Sequence, residues 1–127
     1  PFDQSNHSIF IMINSSFRED LVYNDQRIST KVILESSFSK EIRILLKKGQ
    51  IMKEHKTAFP IVVHLLEGEL TFGVQGVNHE LTKGDVLSLE GNIPHDLTAQ
   101  TDSVVRLSLS KMDNAKRVEA VAGGSAK

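Results

Sequence analysis

The chain has no cysteine and no tryptophan. The first absence removes disulfides, thiolate metal sites and cysteine nucleophiles together. With no disulfide framework to imply an oxidising compartment, a cytoplasmic location is the simplest expectation. Long apolar runs are also scarce. The stretch at residues 9–13, IFIMI, is far too short to span a bilayer, and no charged leader precedes it, so no membrane partner and no secretory signal are expected. A start at Pro1 without methionine is expected of a processed or trimmed product. Neither sign of charge dominates: 15 basic residues against 16 acidic ones give a net charge of −1. That leaves no electrostatic footprint for nucleic acid. Nucleophile elbows, phosphate loops and serine-triad spacings are missing. Gly68–Gly73 has a turn followed by a strand pattern, without the helix that a dinucleotide fingerprint needs. Asn6-His7-Ser8 matches a glycosylation pattern, a weak signal without a secretory leader.

What the chain does have is period-two alternation broken by turn residues. Its 127 residues make one domain, long enough to bury a core unaided. Ile28, Thr30, Val32 and Leu34 share one face of a strand. Ile42, Ile44 and Leu46 alternate with Glu41, Arg43 and Lys47 in a second. Gly49 breaks that pattern, and a short strand at 51–54 leads to His55. Residues 61–66 are apolar except for His64, as in a strand buried on both faces. Leu70, Phe72 and Val74 alternate with polar neighbours, Gln75-Gly76 signals a tight hairpin, and Val77, His79 and Leu81 form the returning strand. Lys83-Gly84-Asp85 turns the chain into a strand at 86–89. A loop over 90–94 follows, then strands around 95–99 and 105–109. Near the end, Asp113 can cap a short helix that Gly123-Gly124 terminates. About eight to ten short strands with regular turn signals predict an all-β antiparallel sandwich or barrel. The expected organisation is an N-terminal extension or arm over 1–14, a barrel over 15–112, and a short helix and tail over 113–127.

The stretch from Gly49 to Ala99 resembles the cupins, a family of small jelly-roll barrels with a double-stranded β-helix. The family's first motif is G-x5-H-x-H-x3-E-x6-G. Here Gly49, His55, Thr57, Ile61 and Gly68 fall at its spacing without a gap. The second motif is G-x5-P-x-G-x2-H-x3-N, and Gly84, Glu90, Asn92, His95 and Ala99 fall in its register. The strings LLEGEL and LTKGDVLSL look like the family's turns. The resemblance covers about residues 40–109, and it implies a homodimer, as small cupins often form. Edge strands that need covering give a physical reason for the same expectation.

In metal-binding cupins, two histidines and a glutamate of the first motif join the histidine of the second around one divalent ion. Carried over by position, His55 and His95 are kept, Thr57 replaces the second histidine and Ile61 replaces the glutamate. Two ligands remain, fewer than the facial triad of non-haem iron or the three protein ligands of catalytic zinc. No cofactor is therefore certain, and a divalent ion (iron, zinc, nickel or manganese) on His55 and His95 stays open. His55, Thr57, Ile61 and His95 are the candidate ligand-binding residues, with His55 and His95 also the catalytic candidates. Alternation places His64 on the outer face, away from Ile61, Val63 and Leu65. His79 and His7 read as surface residues, Glu90 as a solvated loop charge, and Asp96 as pointing away from the pocket.

Three functions are carried forward. The first is a small-molecule binding module in which His55, His95 and Thr57 orient the ligand's polar end within an apolar barrel, with at most a weak or atypical metal site. The second is a metal-dependent dioxygenase or isomerase using His55 and His95. The third is a metal-independent isomerase or lyase, since histidine is the side chain whose ordinary titration range spans neutral pH. Whether the chain is an enzyme stays open between them.

Overall fold

A computed structural model describes residues 11–111 of the chain. Nine strands run through them: β1 (Ser29–Glu35), β2 (Ser39–Leu46), β3 (Ile51–His55), β4 (Ile61–Glu67), β5 (Glu69–Val74), β6 (Val77–Thr82), β7 (Val86–Leu89), β8 (His95–Ala99) and β9 (Ser103–Ser110). They form two antiparallel sheets, ordered β1-β2-β9-β4-β7 and β3-β8-β5-β6. The expected all-β jelly roll is thus the observed one. The helix expected over 113–127 and His7 lie outside the described residues.

Turn chemistry fixes the register. Gln75 and Gly76 both take positive φ, 51° and 77°, which bends the chain so that Val74 faces Val77 across the β5–β6 hairpin. At the β4–β5 corner Gly68 has φ 99°, and a Cβ there would sit 2.5 Å from the Asp102 carbonyl oxygen. That corner therefore accepts only glycine without rearranging the start of β9.

Alternation then sends one face of each sheet inward. Ile44, Leu46, Ile61, Val63 and Leu65 meet Leu70, Phe72, Leu97 and Ala99 of the opposite sheet, with Val105 between them. Burying each large apolar side chain contributes about 1.5–3 kcal/mol. Two strands depart from their expected patterns. β4 is buried on one face only: Ile61, Val63 and Leu65 are inside, but Val62 is 40% exposed. Its continuous apolar run does not mark double burial, because no layer of the described residues covers Val62. In β1 a register shift between Val32 and Leu34 breaks the alternation, so Val32 is exposed while Ile33 and Leu34 are half-buried.

The outer face of β2 is not solvated. Arg43 is 3% exposed, and Glu41 is buried beside it. Residues 15–28 form no strand, and their first part lies over this face. The Arg43 guanidinium holds the segment there: Nη1 donates to the carbonyls of Phe17 (3.1 Å) and Glu19 (2.7 Å), and Nη2 to that of Asp20 (3.1 Å). Asp20 takes a positive φ of 54° at the end of this run. Farther along, Gln50 donates to the Asn24 carbonyl and Lys47 pairs with Asp25. No carboxylate pairs with Arg43 among the described residues, so three carbonyl dipoles carry the stabilisation of its buried charge. Arg43→Ala is expected to destabilise the fold by about 2–4 kcal/mol in urea unfolding, because it strands those carbonyls. A loss below about 0.5 kcal/mol, the ordinary surface range, would show that the segment is held by something else.

Candidate functional site

β3 and β8 pair with Ile51 opposite Thr98 and Met52 opposite Leu97. Continued without change, that register would turn His55 outward. The pairing instead shifts between Met52 and His55, and His55 ends directly opposite His95. The extra residue on β3 is a bulge, a device that re-aims the side chains beyond it. It places two histidines side by side at one end of the barrel.

Their rings lie 4.4 Å apart, centroid to centroid, tilted by 59°. His95 is 3% exposed and stacks nearly parallel on the Phe72 ring at 5.5 Å, whereas His55 reaches solvent. Each ring is tied down the same way. Nδ1 of His55 bonds the Lys53 carbonyl at 2.9 Å, and Nδ1 of His95 bonds the Ile93 carbonyl at 2.9 Å. A carbonyl oxygen only accepts, so in the neutral form of each ring Nδ1 carries the hydrogen and Nε2 keeps a bare lone pair. Neither Nε2 is spent on a hydrogen bond within the described residues.

The cavity beside them is small. His55, Thr57, Ile61 and His95 all line one space of about 30 Å³, completed by apolar side chains including Met52, Phe72 and Leu107. That is room for about one water molecule. Among the described residues no acidic or basic side chain apart from the two imidazoles lines it. Thr57 Oγ1 donates to the Phe59 carbonyl at 2.9 Å, so its hydrogen is already used within the loop. Ile61 is 3% exposed and belongs to the core. Two loops close the mouth. The Asn92 amide donates to the Thr57 carbonyl at 2.6 Å, and a Cβ on Gly91 would come within 2.6 Å of the Ala58 carbonyl oxygen. Glycine at 91 lets the 56–60 and 90–94 loops touch.

Other candidates stand apart from this cavity. His64 is half-buried opposite Val86 and Arg106 on the outer face. His79 is exposed on β6, Glu90 is exposed in its loop, and the Asp96 carboxylate lies against Gly73 on the far side of β8. Met52 and Phe72 are wall residues that sequence reasoning did not single out. Alternation with Leu70 and Val74 was the available signal for Phe72.

Residues 42–110 match the family model described as Cupin domain. An RmlC-like cupin protein of Desulfovibrio desulfuricans shares 26% identity at a TM-score of 0.72, over 78% of this chain and 96% of that one. An RmlC-like cupin of Shewanella frigidimarina shares 22% at 0.66, over 78% and 91%. A Methanocaldococcus jannaschii protein of the same description, with a double-stranded β-helix fold, shares 14% at 0.64, over 79% and 91%. No curated protein matches. Among the described residues no helix is long and apolar enough to cross a membrane.

The donor set does not fit the divalent ion of metal-binding cupins. Two imidazole nitrogens face the cavity, while the other two ligand positions hold a committed hydroxyl and an alkyl group. No cluster of three or more histidine, aspartate or glutamate side chains is assembled among the described residues. Because all four positions share one cavity, Thr57→His with Ile61→Glu is expected to create tight divalent binding. Calorimetry with Zn²⁺ should show at least a hundredfold gain over the unaltered protein. No gain would mean that these side chains do not converge on one point.

Proposed function

The chain is a member of the cupin-domain family, and from that premise we propose that it is a small-molecule binding module whose barrel mouth holds the polar end of its ligand between His55 and His95. The observation that carries the proposal is the pair of unspent Nε2 lone pairs on rings 4.4 Å apart, each locked through Nδ1 to a backbone carbonyl. Two acceptors side by side select a group with a hydrogen to donate, such as a hydroxyl. The space beside them takes one such group, and the apolar wall rewards a ligand that brings little other polarity inside. The body of the ligand then rests at the mouth, over exposed His55 and the 56–60 loop. A binding role fits the site better than metal-dependent catalysis because, among the described residues, no carboxylate stands with the histidines to complete an open metal site.

The test is a screen of small hydroxylated compounds followed through the imidazole proton resonances. A ligand should shift His55 and His95 together, leave His64 and His79 unmoved, and bind at least tenfold more weakly to His95→Phe. Elemental analysis of protein purified without added metal should find far less than one ion per chain. Stoichiometric iron, zinc, nickel or manganese that disappears in a His55→Ala, His95→Ala variant would replace this proposal with a metal centre.

We also propose that the chain works as a homodimer. β1 and β7 end one sheet, and β3 and β6 end the other, so each sheet offers unpaired backbone groups that a second copy can cover. Native mass spectrometry should show twice the mass of one chain at micromolar concentration, and a monomer at that concentration would refute it.

A further inference from the structure

A second cavity, of about 490 Å³, lies outside the barrel on the outer face of the larger sheet, between the β1–β2 turn and residues 11–17. That volume falls within the range of roughly 300–1,000 Å³ usual for small-molecule sites, unlike the space beside the paired histidines. One part of its wall is apolar, with Met12, Phe17, Leu34 and Phe38, and another carries Glu41 and Arg106. Met12 and Phe38 are 71% and 62% exposed, so the apolar part stands in water.

Arg106 is held in place from two sides. Its Nε donates to Glu41 Oε1 at 2.9 Å, and its guanidinium carbon lies 5.5 Å from the centroid of the Phe17 ring. Its two terminal nitrogens have no protein acceptor among the described residues. Glu41 is fixed in turn. It accepts from Ser108 Oγ at 2.5 Å and from Ser39 Oγ as well as from Arg106. Burial pushes its carboxyl up, but the bonds from Ser108, Ser39 and Arg106 outweigh that and hold it below the ordinary value of 4.5. Glu41 is therefore ionised at neutral pH with its oxygens engaged, and it braces a guanidinium that lines the cavity and whose two terminal nitrogens find no acceptor among the described residues.

We propose that this cavity is a binding site for an amphipathic monocarboxylate, with the carboxylate on the terminal nitrogens of Arg106 and an alkyl body against Met12, Phe17, Leu34 and Phe38. A guanidinium edge offers two parallel donors that match a planar carboxylate. Arg43 stands opposite Arg106 with no carboxylate partner among the described residues, so two guanidinium charges face the one carboxylate of Glu41. A singly charged head offsets the remaining positive charge, while a doubly charged phosphate exceeds it and meets Glu41 at close range. The apolar wall supplies affinity through area removed from water. The site shares no residue with the barrel cavity and does not depend on what binds there.

Octanoate titrated into the full chain by calorimetry tests the site. Saturable 1:1 binding is expected, with octanol and octyl phosphate at least tenfold weaker. The paired substitution Glu41→Gln with Arg106→Gln leaves no unbalanced buried carboxylate, and it should weaken octanoate at least tenfold while keeping a cooperative unfolding transition. If that variant fails to fold, intermolecular nuclear Overhauser effects on the unaltered protein decide. Contacts from the octanoate chain to the Phe17 and Phe38 rings are expected. Contacts to the His55 and His95 rings would overturn the proposal, as would absence of saturable binding at millimolar octanoate, equal affinity for octyl phosphate, or unchanged affinity in the folded variant.

Discussion

The fold depends on the double pairing of β9. The last described strand lies between β2 and β4, with Ile44 opposite Val105 on one side and Leu65 opposite Val105 on the other. Val105 is fully buried at this junction. Until β9 arrives, β2 and β4 have no common partner and the larger sheet is two fragments. Contacts of such long sequence separation are costly to close, so the inward apolar face must reward that closure. The same strand serves the outer face. Arg106, opposite Arg43, reaches Glu41 and Phe17 and joins β9 to the segment that precedes β1.

Much of the architecture was legible because it rests on local chemistry. Gln75-Gly76 demanded a hairpin, and Gly49, Gly68 and Gly84 stand at corners where φ is positive. The motif register brought His55, Thr57, Ile61 and His95 into one group, and the structure sets all four around one cavity. What was not legible comes from tertiary context. A bulge in β3 leaves no compositional mark, yet it decides whether His55 faces the barrel or the solvent. Arg43 and Glu41 look like the polar face of an amphipathic strand. Only the segment crossing above them, with its carbonyls turned toward Arg43, makes them buried groups. The continuous apolar run of β4 misled for the complementary reason: no layer of the described residues covers Val62, and a strand's own sequence cannot say whether one exists.

The barrel interior and the outer face divide the polar chemistry between them. Inside, apart from Thr57, the cavity is lined by two imidazoles anchored through Nδ1 to backbone carbonyls, and the other lining residues among those described are apolar. In such a space a polar group without a matching partner would go unpaired. Outside, charge is paired and braced, as in the Glu41–Arg106 ion pair and its two serines. Polar groups are scarce in the first place and held in a bonded network in the second.

The replacements at Thr57 and Ile61 make sense together. A glutamate at position 61 would be a buried carboxylate at the centre of the core, tolerable only beside a cation. Isoleucine there is 3% exposed and packs with the core, adding about 1.5–3 kcal/mol of burial. Once that carboxylate is absent, a histidine at position 57 would face two other imidazoles with no anion to offset a shared ion. Threonine instead turns its hydroxyl back to Phe59 and anchors the loop, while its own carbonyl accepts from Asn92 to close the mouth. The two changes therefore exchange a site organised by an ion for one organised by packing and loop closure. His55 and His95 keep their orientation in the second arrangement because their carbonyl anchors do not depend on a metal.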